Sequence, residues 1–316
     1  MPVGKRFKIA SIGAGNVGAT AAQYCLELEL GDVVLTDIVE GLPQGKALDL
    51  TEAGPIRNYS CACTGTNDYA DIAGADVVIV TAGLPRKPGM TRLDLLGKNG
   101  QIISGICESI KQHAPDAVVI IVTNPLDVMV YLAQKKLGFP ANRVIGMAGC
   151  LDSARMRAFV AMELGVSMKN VDTMVLGSHG DDMVPLPHYT TVSGIPITRL
   201  MPQERIDAIV ERTRKGGGEI VQLLKTGSAY YAPAASAVRM AQAVLRDEKQ
   251  LLPCAALLNG EYGLSDIYMG VPCVLGANGV EKILELEISE ADRASLHRSA
   301  AEVRTGIDGL RELGIL

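Results

Sequence analysis

The feature that most constrains the fold of this chain is a glycine pattern that directly follows an apolar run near the N-terminus. Residues 8–12 are strand-like and lead into Gly13-Ala14-Gly15-Asn16-Val17-Gly18, after which a helix-like segment begins. The first glycine permits a tight turn, the second leaves room for a pyrophosphate beside the backbone, and the third allows close packing of helix on strand. The start of such a helix also directs free N–H groups and positive dipole charge at a phosphate. The pattern predicts a dinucleotide-binding βαβ unit.

An acid in the next strand-to-loop junction indicates which dinucleotide is bound. Asp37 follows the apolar run 33–36 and comes nineteen residues after Gly18. A carboxylate at this position can accept both ribose hydroxyls of an adenosine and repels a 2′-phosphate. We therefore expect NAD as the cofactor in preference to NADP.

The first half of the chain alternates strand-like and helix-like segments. Strand-like runs at 60–66, 76–81, 117–122 and 143–146 alternate with helix-like runs at 46–53, 94–112 and 128–136. The strand-like runs are continuously apolar, as a parallel sheet covered on both faces requires. The fold class predicted is α/β, with an N-terminal doubly wound parallel sheet (Rossmann) over residues 1–148.

The pattern changes near 146–150, and residues 149–316 are predicted to form a C-terminal α+β substrate domain. Helices are expected over 151–164, from Pro202, over 230–245 and from Ser289, with a strand over 171–176. Runs 251–258 and 267–275 predict a β-hairpin. The triplet Gly216-Gly217-Gly218 interrupts the helix from Pro202, and its sequence context offers no reason for it.

The composition excludes several classes of protein. A net charge of −5, no Trp and three Phe argue against a nucleic-acid surface, which needs basic patches and stacking platforms. No apolar run reaches the ~18 residues that span a bilayer, and the segment before the first strand is too short for a signal peptide. Seven scattered cysteines without C-x-x-C predict neither a metal site nor a disulfide framework. We expect a cytoplasmic protein, and 48% hydrophobic residues favour a homodimer or homotetramer.

Polar loops follow the predicted strands at the edge where ligands of open α/β sheets bind. The loop 82–92 carries Arg86, Lys87 and Arg92, and these cations fit either an anion-binding lid or an ordinary solvated basic loop. In the loop 123–125, Asn124 is either a turn residue or a contact near the nicotinamide end of a dinucleotide. The residues alone leave both alternatives open.

Three further residues combine into a possible acid–base site. Asp152 and Arg155 share a face of a predicted helix, and the spacing also fits an N-cap with a weak surface ion pair. His179 follows the predicted strand 171–176, and it is either structural or a proton carrier that titrates near neutral pH. Spacing does not choose between these interpretations.

Taken together, the motifs resemble a known family over almost the whole chain. They are the glycine motif, 81–83, 86–95, 122–125, 151–155 and 177–181. The chain is similar to NAD-dependent 2-hydroxyacid dehydrogenases of the lactate/malate group, and within that group to the enzymes that act on malate. The resemblance implies reversible oxidation of (S)-malate to oxaloacetate, a reaction of the tricarboxylic acid cycle.

The resemblance also implies roles for individual residues. His179 would be the general base in oxidation and the acid in reduction, with Asp152 behind its other ring nitrogen. Arg155 would hold the C1 carboxylate through two hydrogen bonds, and Arg92 would polarise the carbonyl. Arg86 would meet the second carboxylate, because lactate enzymes of the family have glutamine at this position.

The expected cofactor contacts complete this assignment. The residues implied are Gly13, Ala14, Gly15, Asn16, Val17, Gly18, Asp37, Asn99, Val122, Thr123 and Asn124, and Asn124 would also contact the substrate. Two alternatives stay open, a lactate or broad 2-hydroxyacid dehydrogenase and, more remotely, a non-catalytic NAD-binding protein. The latter would have no use for His179, Asp152, Arg92 and Arg155 together.

Overall fold

Six parallel strands from the first half of the chain form the centre of the structure, a computed structural model that describes residues 6–85 and 91–316. They are β1 (Lys8–Ile12), β2 (Asp32–Thr36), β3 (Cys63–Thr66), β4 (Val77–Val80), β5 (Val118–Ile121) and β6 (Val144–Gly146). Their spatial order is β6-β5-β4-β1-β2-β3. The order reverses between β1 and β4, so the predicted doubly wound sheet is confirmed and its switch point lies beside the glycine motif.

Four helices connect these strands and cover the sheet. They are α1 (Asn16–Glu27), α2 (Leu42–Arg57), α3 (Arg92–His113) and α4 (Leu126–Leu137). Every residue of β4 and β5 is buried, as their uninterrupted apolar sequences require. The helix α3 begins with a capping box in which Thr91 and Asp94 satisfy each other's backbone N–H groups.

The second half adds four helices and eight strands. They are α5 (Gly149–Leu164), β7 (Val171–Asp172), β8 (Val175–Leu176), β9 (Val184–Pro185), β10 (Thr191–Val192), β11 (Ile195–Pro196), α6 (Gln203–Leu224), α7 (Tyr231–Leu245), β12 (Gln250–Asn259), β13 (Ser265–Gly276), β14 (Gly279–Ile283) and α8 (Glu290–Glu312). The predicted hairpin is confirmed as β12 and β13. No helix within the described ranges is both long enough and apolar enough to cross a membrane.

The hairpin extends the central sheet instead of forming a separate one. Strands β12, β13 and β14 pair antiparallel, and β12 lies next to β6 through Ala255 opposite Gly146. A Cβ on Gly146 would come within 2.8 Å of the Ala255 Cβ, so the glycine permits this close approach. The result is one nine-stranded sheet to which both halves of the chain contribute.

The expectation of one strand over 171–176 is wrong. The segment forms two short strands in different sheets, because β7 pairs with β10 and β8 pairs with β9. Between them the chain is held by α5, since Thr173 Oγ1 donates to the Ser153 carbonyl at 2.8 Å and Val175 N–H donates to Ser153 Oγ at 3.0 Å. After this break, β8 lies beside β13, and Gly177 pairs with Gly270 of that strand.

Candidate active site

The glycine motif forms the turn between β1 and α1. Gly13 has φ +102°, in the left-handed region, and a Cβ on Gly18 would collide with the Gly13 carbonyl oxygen. At Gly15, by contrast, no atom lies within 4 Å of the position that a Cβ would take. The turn thus opens at Gly15, directly before the N–H groups of the first turn of α1. This arrangement fits a dinucleotide pyrophosphate.

Two charged side chains hold the central residue of this turn. Asp37 Oδ2 accepts a 2.7 Å hydrogen bond from the N–H of Ala14, and Lys46 Nζ donates to its carbonyl oxygen at 2.7 Å. The other oxygen of Asp37 accepts from the N–H of Val39 at 3.0 Å. The structure therefore brings Asp37 to the glycine turn, with lone pairs left for a ligand. Sequence reasoning missed Lys46, because a lysine in a helix carries no pattern of its own.

The loops after β4 and β5 are joined by a buried amide. Asn99 Oδ1 accepts from Leu84 N–H at 2.8 Å, and its Nδ2 donates to the carbonyl of Leu84 at 3.2 Å and of Asn124 at 2.7 Å. Backbone groups thus use the hydrogen-bonding atoms of the Asn99 side-chain amide. These hydrogen bonds fix the distance between the two loops. Direct contact of Asn99 with a cofactor stays a prediction.

The remaining predicted cofactor residues lie at these same strand ends. Thr123 Oγ1 donates to the Ala82 carbonyl at 2.6 Å, and Val122 N–H donates to the Val80 carbonyl at 2.9 Å. Asn124 is exposed, whereas Thr123 and Val122 are buried. At the turn itself, Asn16 is exposed and Val17 is half-buried.

The structure brings His179 and Asp152 together. Asp152 Oδ2 lies 2.9 Å from His179 Nδ1, and the side chains are 2% and 16% exposed. An ionised carboxylate can only accept, so when the imidazole is neutral it selects the tautomer with the proton on Nδ1 and a lone pair on Nε2. The pair can therefore remove a proton from a ligand that reaches Nε2.

Arg155 lies on the other side of the same carboxylate. Its Nη1 donates to Asp152 Oδ1 at 3.3 Å, and its side chain is 10% exposed. The N-cap of α5 is Ala148. The alternative of an N-cap with a surface ion pair is therefore wrong, and the buried Asp152 instead bridges a half-buried histidine and a half-buried arginine.

Helix α6 explains the unusual glycine triplet. A Cβ on Gly216 would lie only 2.2 Å from Cδ and 2.7 Å from Nε of Arg155, and one on Gly217 would lie 3.8 Å from its Nη2. Nothing lies within 4 Å of the corresponding position at Gly218. The first glycine of the triplet thus makes room for the Arg155 side chain, which sequence reasoning could not reveal because α5 and α6 meet only in the fold.

The loop that carries His179 is anchored from three elements. Gly177 exchanges backbone hydrogen bonds with Gly270 of β13 at 2.9 and 3.0 Å, and Ser178 N–H donates to Ser299 Oγ of α8 at 2.8 Å. The N–H of His179 donates to Asp127 Oδ2 of α4 at 2.8 Å. Sequence reasoning missed Asp127, although an acid in an otherwise apolar helix was a usable signal.

The charges around His179 determine its protonation. Burial lowers the pKa of the imidazole, but the charge and hydrogen bond of Asp152 and the charge of Asp127 outweigh this effect. Arg155 opposes them. The net result is a His179 pKa above its ordinary value, so the surroundings stabilise the imidazolium form.

Of the two arginines predicted in the basic loop, the structure describes Arg92, and it does not place Arg92 at this pair. Arg92 is the first residue of α3, its side chain is 72% exposed, and its Nη1 donates to Glu302 Oε2 at 3.1 Å. Arg86 lies outside the described residues. Substrate contact by either arginine stays a prediction. Within residues 6–85 and 91–316, no group of three or more His, Cys, Asp and Glu side chains could hold a metal ion.

Two family models together match most of the chain. The family model described as lactate/malate dehydrogenase, NAD binding domain, matches residues 7–146, and the model for the alpha/beta C-terminal domain of the same family matches 150–313. A protein of Roseiflexus castenholzii named malate dehydrogenase is 58% identical over 308 residues, which cover 98% of this chain and 100% of that protein.

Solved structures of a malate dehydrogenase and of a lactate dehydrogenase resemble this one. Malate dehydrogenase from Salinibacter ruber has a TM-score of 0.94 and 50% identity, covering 97% of this chain and 98% of that chain. Lactate dehydrogenase from Cryptosporidium parvum, complexed with lactic acid and NAD, has a TM-score of 0.94 and 47% identity, covering 98% and 99%. The chain therefore belongs to the lactate/malate dehydrogenase family and is an NAD-dependent oxidoreductase.

Proposed function

We propose that the protein catalyses the reversible oxidation of (S)-malate to oxaloacetate with NAD. The observation that carries this proposal is the cluster in which Asp152 contacts His179 on one oxygen and Arg155 on the other. A proton acceptor and a carboxylate-binding cation, held by one buried acid, are the groups that oxidation of a 2-hydroxy acid requires. The malate dehydrogenase name of the Roseiflexus relative supports the choice of substrate.

His179 moves the proton in this mechanism. Its Nε2 takes the proton of the substrate hydroxyl, and Asp152 stabilises the positive charge that then resides on the imidazole. In reduction, the imidazolium returns the proton to the carbonyl oxygen. NAD, when bound at the glycine turn and Asp37, would supply the hydride acceptor.

Arg155 orients the substrate beside the imidazole. Its planar guanidinium can donate two parallel hydrogen bonds to the C1 carboxylate, which lysine cannot reproduce. Arg92 is proposed to polarise the carbonyl and Arg86 to pair with the second carboxylate. Arg92 is the first residue of α3, and Arg86 precedes it by six positions in the sequence.

Formation of NADH from NAD with malate, and no comparable formation with lactate, tests the proposal. The lactate or broad 2-hydroxyacid alternative is favoured by one observation, the 47% identity to a lactate dehydrogenase that binds lactic acid. Equal kcat/KM values for pyruvate and oxaloacetate would support this alternative. Absence of turnover with every 2-hydroxy acid, despite NAD binding, would support a non-catalytic protein.

Asp37 gives a prediction about the cofactor. Replacing Asp37 with Ser should narrow the preference for NAD over NADP, because the variant no longer repels a 2′-phosphate. The measurement is the ratio of kcat/KM for the two cofactors with malate in excess. Asp71→Ser, which removes an exposed acid from the 3-10 helix Tyr69–Ile72, is the matched control. Equal use of NAD and NADP by the unmodified protein would contradict the assignment.

Gly216 gives a prediction about the substrate. Gly216→Ala should displace Arg155 and raise KM for malate by about 10-fold or more, since a 1 Å misplacement of a positioning group can cost about 10²-fold in rate. Gly218→Ala is the matched control, because its Cβ meets nothing within 4 Å. Both changes place alanine in one helix, so equal KM values in the two variants would show that Gly216 does not act through Arg155.

We also propose that the protein is a homodimer or homotetramer. Large apolar side chains are exposed on α2 and near the end of α6, where a subunit interface would cover them. They are Leu48, Ile56, Val221, Leu223 and Leu224.

A further inference from the structure

Asp127 is a buried acid that the proposed reaction does not use directly. It lies in the first turn of α4, and its neighbours from Leu126 to Ala133 are all buried apolar residues. A carboxylate loses its hydration in such surroundings, and this loss costs free energy unless other contacts compensate for it.

The two carboxylate oxygens of Asp127 have different environments. Oδ2 accepts the 2.8 Å hydrogen bond from the main-chain N–H of His179. Oδ1 is buried and has no hydrogen-bond partner within the described part of the chain. The hydrogen bond that the Asp127 carboxylate accepts from another element thus comes from the peptide N–H of the proposed proton carrier.

Different residues hold the backbone and the ring of His179. Asp127 holds the main chain from α4, and Ser299 holds the preceding residue from α8. Asp152 holds the ring from α5. Because the backbone is fixed, only the side-chain torsions of His179 have to be set to align Nδ1 with Asp152. Less conformational entropy is therefore lost when the ring is oriented for proton transfer.

Asp127 also contributes charge. The charged groups that face His179 are Asp152 and Arg155 on α5 and Asp127 on α4. Helix α8 presents the uncharged Ser299, and Asp181 and Asp182 of the same loop are exposed, where water screens them. Asp127 is thus a second negative charge that acts on the imidazole, while its hydrogen bond goes to the main chain of His179.

We propose that Asp127 is a positioning residue that fixes the main chain of His179 and, as a buried anion, stabilises the imidazolium that malate oxidation produces. Its consequence for turnover rests on the proposed function. Burial raises the pKa of Asp127 to about 6, so the carboxyl carries its charge at neutral pH and loses it in acid. Asp127 is therefore negatively charged in the neutral pH range in which NAD-dependent oxidation would be assayed.

Asp127→Asn tests the role of the charge, because asparagine keeps an oxygen for the N–H of His179. In a titration of ¹³C-labelled histidines by NMR, the His179 midpoint should move to lower pH. The signal is assigned by its loss in His179→Asn. The acid limb of kcat/KM for malate and the alkaline limb for oxaloacetate should move the same way, since both follow this imidazole. Asp182→Asn, which removes an exposed charge from the same loop, should move the midpoint less.

Asp127→Leu tests the role of the hydrogen bond. It removes charge and acceptor together and should lower kcat about 10-fold or more below that of Asp127→Asn, since a buried N–H is left unpaired. The inference would be overturned if the titration midpoint of His179 moved no further in Asp127→Asn than in Asp182→Asn. The NMR titration needs no substrate. If the His179 midpoint moves as expected but the protein does not oxidise malate, the proposed function is contradicted and the role of Asp127 is not.

Discussion

Replacing Arg86 with Gln should lower kcat/KM for oxaloacetate by roughly 30- to 5,000-fold and raise it for pyruvate. Oxaloacetate differs from pyruvate by one carboxylate on the methyl carbon. Enclosing that charge away from water without a cation is costly, and pyruvate leaves the arginine unpaired. Loss of one member of a buried, hydrogen-bonded charge pair costs ~2–5 kcal/mol, and ~1.4 kcal/mol corresponds to tenfold.

The design compares Arg86→Gln with Lys87→Gln, which removes the same charge from the neighbouring position. Steady-state kinetics with oxaloacetate and pyruvate give the preference of each variant. Arg155 and His179 stay in place, so the reaction itself should survive in both. An unchanged oxaloacetate preference in Arg86→Gln, or an equal loss in both variants, would remove Arg86 as the residue that selects the dicarboxylate.

Replacing His179 with Asn should reduce kcat by ~10²-fold or more and leave NAD binding nearly intact. A positioned proton carrier contributes about this factor, and the glycine turn with Asp37 lies at a different strand end. Calorimetric titration with NAD and steady-state turnover of malate separate the two effects. His113→Asn, at the end of α3, is the control for loss of a histidine. Full turnover in His179→Asn would refute the mechanism.

The pH dependence follows from the protonation of the same imidazole. Oxidation of malate needs neutral His179, and reduction of oxaloacetate needs the protonated form. Because Asp152 and Asp127 raise the pKa of His179, oxidation should start at a higher pH than an ordinary imidazole allows, and reduction should persist to a higher pH. Asp152→Asn should lower turnover and move both limbs to lower pH.

The parallel half of the fold was predictable because its signals are local. Continuous apolar runs such as β4 and β5 identify buried strands, and the glycine motif identifies the switch point. The break between β7 and β8 was not predictable, because Ser153 of α5 imposes it through hydrogen bonds to residues 20 and 22 positions further along the chain. Likewise, nothing in the runs 251–258 and 267–275 indicates that their hairpin joins β6.

The candidate site was predictable for residues whose side-chain chemistry itself indicates a role. His179, Asp152 and Arg155 stand in motifs of the family, and the fold brings these three together. Gly216 and Asp127 act through contacts between elements distant in sequence, so the residues alone could not identify their roles. The contacts of Arg86 and Arg92 with a substrate depend on the ligand, and they stay predictions.

The pairing of β12 with β6 also has a consequence for how the protein unfolds. Each half of the chain supplies strands to one sheet and side chains to one continuous core, which includes Ile9 and Val119 as well as Met240 and Tyr268. Separating the halves would uncover the edge of β6, an unpaired strand edge that favours aggregation. Heating should therefore melt residues of both halves in a single cooperative transition, with no stable intermediate in which only the NAD-binding sheet is folded.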